Sequence, residues 1–445
     1  MNIISYAAQL ILCLSILVVL HECGHFFPAK WFKTRVEKFY LFFNPGFSLF
    51  KKQIGETEYG IGWIPFGGYV KISGMIDESM DTEQMEQEPQ PWEFRSKPAW
   101  QRLIIMLGGV TVNFVLGILI FAGILFYFGE TYIKSTDMKF GVYASELGKE
   151  IGIEDGDNIV AIGDVLFEKD NPAFVSQEII LNDPKFLTVK RDGNDLKLPI
   201  PVDLAKKLTK HENRGKGLFK IRMPQIVLSV KEKFPAGKIG IKAKDRIIGI
   251  DGQSTYWIHE FFQAMKGKKD TSVSLTILRN EKDTLHFTAD LGEDGILGIF
   301  HTPPEDIFDY QRQKYSLGQS IPKGWDKSVG FLTGQLKAFK QMFTGKLDPR
   351  DSLGSVFSIA KMFDPGWDWE QFWRITAMLS ILLGFFNLLP IPALDGGYVM
   401  FLIWEVITGK KPNDKFMEYA TIVGFFILIA LMIFALGLDV NNMFK

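Results

Sequence analysis

Four long apolar segments divide this chain and restrict the folds that are open to it. Each reaches the length of about 20 residues that a helix needs to cross the hydrocarbon core of a bilayer. Pro390 and Pro392 interrupt the third segment. The four segments cover about Ile3–Phe27, Leu103–Phe128, Phe372–Ile407 and Met417–Leu438. We therefore predict a polytopic α-helical membrane protein with four transmembrane helices.

The composition fits a membrane protein with a sizeable soluble part. Of the 445 residues, 47% are hydrophobic and 23% are charged, a balance between those of soluble and wholly embedded proteins. The net charge of −1 produces no field that attracts nucleic acid, and we expect no nucleic-acid partner. Cys13 and Cys23 both lie in the first apolar segment, so the soluble part has no disulfide framework. No basic region precedes that segment, which we expect to be a retained span rather than a cleaved signal peptide.

Basic residues beside the apolar segments predict the orientation of the chain. They cluster between the first and second segments and between the third and fourth, where the positive-inside rule places the cytoplasm. Both termini and the loop from about Gly129 to Glu370 are then extracytoplasmic. The basic residues are Lys30, Lys33, Arg35, Lys38, Arg95, Lys97, Arg102, Lys410, Lys411 and Lys415.

A His-Glu-x-x-His motif lies near the end of the first apolar segment. His21 and His25 are four residues apart, so on a helix their imidazoles share one face and can bind one Zn²⁺ at roughly 2.0–2.1 Å. Glu22 can act as a general base on a water molecule beside them. Two histidines in a membrane helix can also bind haem, relay protons or form interhelical hydrogen bonds, and the motif alone leaves these alternatives open.

A carboxylate in the third apolar segment offers a further ligand. Asp395 ends the run Asn387-Leu-Leu-Pro-Ile-Pro-Ala-Leu-Asp, whose prolines interrupt a helix. A charge at membrane depth costs about 2.5–3.5 kcal/mol on insertion scales and by default marks function. Asp395 can complete a His₂Asp zinc site with an open fourth position, or it can cap a helix at the membrane edge. Together with the first motif, it favours zinc.

Glycines alternate with apolar residues between Gly60 and Ile72. This pattern predicts a β-hairpin with a glycine turn, and its apolar character predicts association with the membrane. The free backbone edge of such a hairpin can pair with an extended substrate strand, but an ordinary packed hairpin fits the sequence equally well. The acidic run Asp77–Glu93 that follows predicts a solvated loop.

The long loop contains an internal repeat. Two copies carry a Gly-Ile pair, an aspartate and two isoleucines at one constant spacing. The residues are Gly152-Ile153, Asp157, Ile159 and Ile162, followed by Gly240-Ile241, Asp245, Ile247 and Ile250. Both copies resemble PDZ domains, which bind peptides by strand addition, although Lys244 stands where the first copy has Gly156. A steric filter or spacer is an open alternative to peptide binding.

A periodic stripe follows the repeats. From Trp325 to Phe343, apolar residues recur at spacings of four and three and predict an amphipathic helix. We expect this helix to lie on the outer membrane surface or to pack against the repeats.

Taken together, these motifs resemble the site-2 protease family, and most closely its regulator-of-sigma-E protease subgroup with tandem PDZ domains. The resemblance covers essentially the whole chain. One departure is Val110, since Gly109–Asn113 occupies the place where the family often has Gly-Pro-x-x-Asn. The matching features are His21-Glu22-x-x-His25, the Pro65–Gly68 turn, the PDZ-like pair, Asn387 and Leu394-Asp395-Gly396.

The resemblance implies a zinc-dependent intramembrane endopeptidase of the inner membrane, with periplasmic PDZ-like domains and an active site near the cytoplasmic side. It implies cleavage within the transmembrane segments of single-span substrates, such as anti-sigma factors or signal-peptide remnants. By motif, Glu22 is the catalytic base. The implied zinc ligands are His21, His25 and Asp395. The residues implied to bind substrate are Asn387, Gly67, Gly68 and Asn113.

The predicted fold thus combines four transmembrane helices, a membrane-associated β-hairpin and two extracytoplasmic α+β PDZ-like domains. Two other functions remain open: a catalytically inactive PDZ scaffold, which predicts no zinc, and a metal transporter, which predicts polar residues along a path through the spans. The predicted layout is helix 1 in 1–30, the hairpin segment in 31–100, helix 2 in 101–129, PDZ-like domains in 130–220 and 221–302, the amphipathic region in 303–371, helix 3 in 372–408, a loop in 409–416 and helix 4 in 417–438.

Overall fold

The computed structural model describes residues 2–75, 88–169, 171–213, 215–352 and 356–443. Residues 77–87 of the predicted acidic loop lie outside this set. The chain divides into two compact units, a mainly helical unit and a mainly β unit. The helical unit comprises residues 1–129, 314–336 and 352–445, and the β unit comprises 130–313 and 337–351.

The helices differ widely in length. The longest lie in the helical unit, where apolar residues dominate, and the short ones lie mainly in the β unit. The α-helices are α1 (Asn2–Trp31), α2 (Ala99–Tyr127), α3 (Glu146–Glu150), α4 (Pro172–Asn182), α5 (Leu204–Thr209), α6 (Pro235–Lys238), α7 (Ile258–Met265), α8 (Leu317–Phe343), α9 (Pro349–Ser352), α10 (Val356–Ala360), α11 (Trp369–Asn387), α12 (Asp395–Thr408) and α13 (Asp414–Met443).

The strands form one four-stranded sheet in the helical unit and several sheets in the β unit. They are β1 (Val36–Phe43), β2 (Phe50–Ile54), β3 (Thr57–Ile61), β4 (Ile64–Ile72), β5 (Glu130–Tyr132), β6 (Val142–Ala144), β7 (Asn158–Ile162), β8 (Val165–Leu166), β9 (Phe186–Arg191), β10 (Asn194–Pro199), β11 (Phe219–Ile221), β12 (Val227–Val230), β13 (Arg246–Ile250), β14 (Gln253–Ser254), β15 (Ser272–Arg279), β16 (Asp283–Asp290), β17 (Ile299–His301) and β18 (Gln311–Gln313).

Among the described residues, three helices are long and apolar enough to cross a membrane: Ile3–Trp31, Ala99–Tyr127 and Lys415–Leu438. They correspond to the first, second and fourth predicted spans. The third predicted segment is instead divided between α11 and α12. Pro390 and Pro392 lie in the gap, where their missing N–H groups and fixed rings prevent a continuous helix. The structure therefore shows a polytopic helical architecture, whereas the third predicted span, and with it the total of four, stays a prediction.

Helices α1 and α2 touch through their backbones. A β-carbon at Gly24 would lie 2.5 Å from the carbonyl oxygen of Gly108, and a β-carbon at Gly108 would overlap the carbonyl oxygen of Gly24. Gly117, also on α2, packs against the Ile381 side chain of α11. Such small residues allow membrane helices to approach closely and gain van der Waals contact. Helix α2 is consequently packed against both α1 and α11.

The glycine-rich segment belongs to a four-stranded sheet with the order β2-β3-β1-β4. The predicted hairpin is wrong in its pairing, because β3 and β4 do not pair with each other but flank β1 on its two sides. Strand β1 is rich in aromatic residues and occupies the buried centre of the sheet, with Val36 and Tyr40 almost fully buried. The predicted Pro65–Gly68 turn lies within β4, where the register shifts and Gly67 adopts a φ of 74°.

In the β unit, the two copies of the sequence repeat form sheets of the same strand order. The first is β10-β9-β7-β8, and the second, read from its other edge, is β16-β15-β13-β14. Each sheet covers its own apolar core, in which Ile159 and Ile162 of the first copy match Ile247 and Ile250 of the second. The repeat predicted from the sequence is thus also a repeat of topology.

A buried aspartate fixes the same turn in both copies. Asp157 accepts hydrogen bonds from Arg191 Nε and Nη2, both at 2.8 Å, and from the backbone N–H of Glu154 at 2.9 Å. In the second copy, Asp245 accepts the equivalent hydrogen bonds, two from Arg279 and one from the backbone N–H of Lys242. Each aspartate therefore has a full set of partners within its own copy.

Helix α8 contains the predicted amphipathic stripe, and four of its six apolar side chains are exposed, whereas Leu332 and Phe339 are half-buried. Its buried residues are small: Ser320, Gly324, Ser328 and Gly334. The exposed fractions of Trp325 and Phe343 are 57% and 90%. The stripe therefore leaves an apolar face uncovered in the folded chain, as a helix at a membrane surface does.

Candidate metal centre

Helix α1 places two imidazoles side by side. His21 and His25 are both buried, and their Nε2 atoms lie 3.2 Å apart. The helix is continuous through the motif, so the spacing of four residues brings both rings to one face as the sequence predicts.

Asp395 reaches the same point from α12, of which it is the first residue. Its Oδ2 atom lies 3.3 Å from Nε2 of His21 and 3.3 Å from Nε2 of His25. The backbone before it is tightly folded, since Ala393 has a φ of 94°. The two residues after it must be glycines, because a β-carbon at Gly396 would overlap Leu389 and one at Gly397 would lie 2.6 Å from Ile391 O.

The three donor atoms suit a metal cation. The ligand atoms of His21, His25 and Asp395 all lie within 4.8 Å of one another. Asp395 Oδ2 is buried and has no hydrogen-bond donor, a costly state that a shared cation relieves. Two imidazole nitrogens and one carboxylate oxygen are a known ligand set of catalytic zinc sites, which leave the fourth position open. The arrangement therefore fits zinc.

Helix α2 supports both imidazoles from behind. His25 Nδ1 donates to the carbonyl oxygen of Ile105 at 2.8 Å, and the side-chain amide of Asn113 lies 3.0 Å from His21 Nδ1. Gly109 leaves the space that the rings occupy, since a β-carbon there would overlap His25 Nε2 and lie 2.6 Å from His21 Cε1. Such partners set the orientation of metal-binding histidines.

Glu22 lies in a cavity of about 1090 Å³ within the helical unit. Val70 of β4 lines the same cavity, which places the motif beside the edge of the sheet. Asn387, the last residue of α11, also lines the cavity, and its Nδ2 atom lies 3.3 Å from His21 Nε2. A carboxylate, an amide and three potential ligands therefore surround one space.

The four residues predicted to bind substrate are not equivalent. Asn387 and Gly68 line the cavity. Gly67 is packed against the Phe43 ring, and Asn113 is fully buried behind His21. Asn387 and Gly68 thus lie on the cavity wall, whereas Asn113 touches a candidate ligand.

Several contributors to this site were not identified from the sequence. They are the Ile105 carbonyl, the space at Gly109, and the wall that α13 supplies through Thr421 and Phe425. The first is a backbone group and leaves no residue-type signal. The adjacent glycines 108 and 109, in an otherwise apolar helix, are a signal of close packing that was available.

The fold and the site define a membrane metallopeptidase. The model of Peptidase family M50 matches residues 9–431, and the chain belongs to this family. A Rickettsia conorii protein named as a zinc metalloprotease is 30% identical over 446 residues, which cover 98% of each chain. The regulator of sigma-E protease RseP of Escherichia coli is 28% identical over 457 residues, again 98% of each chain. A Treponema pallidum protein named as a zinc metalloprotease is 25% identical over 454 residues, with 98% of each chain covered.

These comparisons confirm the resemblance to the site-2 protease family. The chain is an intramembrane zinc metalloprotease of that type, and zinc is its metal. The roles of the individual residues stay predictions.

Proposed function

We propose that the chain hydrolyses peptide bonds within the transmembrane segments of single-span proteins, with His21, His25 and Asp395 as zinc ligands and Glu22 as general base. The observation that carries this assignment is the buried Asp395 Oδ2 atom, which has no hydrogen-bond donor and lies equally far from both histidine Nε2 atoms. Glu22 lines the same cavity.

Zinc, Glu22 and Asn387 have different roles in the proposed reaction. Zinc, when bound, supplies a Lewis acid that acidifies water and polarises a carbonyl group. The Glu22 carboxylate, on the cavity wall, accepts the proton of the attacking water. The Asn387 amide donates to the carbonyl oxygen of the scissile bond, where negative charge develops.

Strand β4 provides a place for the substrate backbone. Among the described residues it is an edge strand of its sheet, next to β1, and Gly68, Tyr69 and Val70 line the cavity. A peptide bond within a helix is shielded by the helix's own hydrogen bonds, so the substrate must unwind before cleavage. An unwound segment can then pair with the outer edge of β4, opposite β1, as an added strand.

The membrane arrangement predicted from the sequence belongs to the proposal. It comprises four spans, the third formed by α11 and α12, with the metal centre near the cytoplasmic side of an inner membrane. The two repeats would be periplasmic PDZ-like domains, which either bind peptide or restrict access by size. Their matching strand orders and their separate cores support two like domains.

The substrate class follows from the same reasoning. A relative that aligns with almost the whole chain is named a regulator of sigma-E protease, which supports an anti-sigma factor as substrate. Signal-peptide remnants are the second class, because they too are single apolar helices.

The test compares the wild type with Glu22→Gln, as full chains in detergent, for zinc content and for cleavage of a model single-span substrate. We expect about one zinc per chain in both proteins and cleavage by the wild type alone, since glutamine cannot accept the proton. Glu56→Gln, at an exposed position in the turn between β2 and β3, is the matched control and should retain both properties. An active Glu22→Gln variant would refute the assignment of the base. A wild type with neither zinc nor cleavage would favour the PDZ scaffold.

A further inference from the structure

We propose that Asn113 is a positioning residue of the metal centre. Its side-chain oxygen accepts the Nδ1–H of His21 and thereby keeps the lone pair of His21 Nε2 directed at the metal. This inference rests on the proposed function, because it takes His21, His25 and Asp395 as the ligands. It gives Asn113 a role other than the contact with substrate that the family resemblance implies.

The argument begins with the number of protons on a ligand histidine. A neutral imidazole carries one N–H, and a metal-binding nitrogen must have a free lone pair. Both Nε2 atoms face Asp395 Oδ2 at 3.3 Å, so Nε2 is the ligand atom of each ring. In each metal-binding histidine the proton must therefore be on Nδ1, where it needs an acceptor.

For His25 the backbone of α2 provides that acceptor. The carbonyl oxygen of Ile105 lies 2.8 Å from His25 Nδ1, and a carbonyl oxygen accepts but cannot donate. The tautomer of His25 is thus fixed by a group that no side-chain substitution removes.

For His21 the partner is the side-chain amide of Asn113, which can either donate or accept a hydrogen bond. Asn113 is fully buried, with Nδ2 3.0 Å from His21 Nδ1, while its Oδ1 has no hydrogen-bond partner. In this orientation the amide donates to Nδ1 and favours the tautomer with its proton on Nε2. A half turn of the amide exchanges oxygen and nitrogen within almost the same volume. Oδ1 then accepts the Nδ1–H of His21, and the unpartnered oxygen gains its donor.

The backbone of Asn113 is held in place from the opposite side. Ser380 on α11 donates its hydroxyl to the carbonyl oxygen of Asn113 at 2.7 Å, and both residues are fully buried. The side-chain amide of Asn113 is therefore held beside His21 and is shielded from water.

The experiment measures zinc dissociation constants of the full chain in detergent by competition with a chromogenic chelator. Asn113→Leu removes the acceptor at nearly constant volume, and we expect zinc affinity to fall by about 10–100-fold. Asn113→Asp keeps an oxygen at the same place and should retain affinity within about threefold. Val115→Ala, at an exposed position on α2, is the control and should match the wild type. Cobalt(II) absorption should show an altered ligand field in Asn113→Leu alone.

Equal zinc affinity in Asn113→Leu and the wild type would overturn the inference. Equal losses in the leucine and aspartate variants would overturn it as well, because they would show that Asn113 only packs. If the leucine variant does not fold, Asn113→Ala removes the same acceptor without adding volume. If the proposed function is wrong, the wild type itself binds no zinc. Zinc binding by the wild type therefore distinguishes a failure of this inference from a failure of the proposed function.

Discussion

The two units of the chain treat buried carboxylates in opposite ways. In the β unit, the oxygens of Asp157 and Asp245 receive hydrogen bonds from an arginine and from a backbone N–H of the same copy. In the helical unit, Asp395 Oδ2 has no donor and faces two imidazole nitrogens. A carboxylate with a complete set of partners stabilises the fold, whereas one that lacks a donor at a converging site indicates an external cation.

The strongest test of this contrast is Asp395→Ala. Loss of one of three protein ligands should weaken zinc binding at least about 100-fold and abolish cleavage, while the free energy of unfolding of the metal-free chain stays close to that of the wild type. Elemental analysis after dialysis measures the zinc, and thermal unfolding with chelator present measures the stability. Unchanged zinc stoichiometry would remove Asp395 from the set of ligands.

The second test changes the space behind the ligands. Gly109→Ala places a methyl group against both imidazoles, and we expect zinc affinity to fall about 10-fold or more because the rings must move. The control is Gly123→Ala on the same helix, where a β-carbon meets no atom within 4 Å. That change should leave zinc binding intact and stabilise α2 by about 0.5–1 kcal/mol. Equal zinc affinity in the two variants would contradict the role of Gly109.

The third test is directed at the β unit. Asp245→Ala leaves Arg279 without its partner, and we expect the free energy of unfolding of this unit to fall by about 3 kcal/mol with unchanged zinc content. Asp195→Ala is the control, because its exposed pair with Lys190 at 3.9 Å contributes about 0–1 kcal/mol. Unfolding by denaturant, monitored by amide hydrogen exchange within the β unit, measures the loss of stability in each of the two variants. Loss of zinc in Asp245→Ala would show that the contrast between the units is false.

The smallest expected effect compares the two repeats. Gly156 and Lys244 occupy equivalent positions, with φ values of 104° and 69°, so both copies require the left-handed region there. Lys244→Gly should stabilise the second copy by somewhat less than about 1 kcal/mol, since relief of strain exceeds the added chain entropy. Gly156→Ala should destabilise the first copy by about 1 kcal/mol. Effects of the same sign in both variants would refute this explanation.

Much of the site could be predicted because its chemistry requires rare residue types in rare places. Histidines and an aspartate within apolar segments are costly unless they have a function, so His21, His25 and Asp395 stand out from the sequence. The structure brings these three together. The family resemblance placed Asn113 in the site, but its contact with His21 rather than with substrate could not be predicted, because the sequence does not specify which atoms the side-chain amide touches.

The fold was harder to predict where pairing depends on distant segments. The glycine pattern of β3 and β4 is local, but their partner β1 precedes them and is selected by its apolar central position in the sheet. Conversely, the sequence repeat contains a further signal that predicts an ion pair in each copy. Arg191 and Arg279 are separated by the same offset as the two aspartates that they bind, and this match indicates a shared ion pair.

The contact between Gly24 and Gly108 has a consequence for the genetics of this protein. Backbone atoms form both sides of the contact, so neither position has a smaller residue available as a replacement. A larger residue at one glycine cannot be compensated by a reduction at the other, unlike an oversized side chain in an ordinary apolar core. Searches for second-site suppressors of a Gly24 substitution should therefore recover no change at Gly108, and the pair should behave as two independent sites of loss of function.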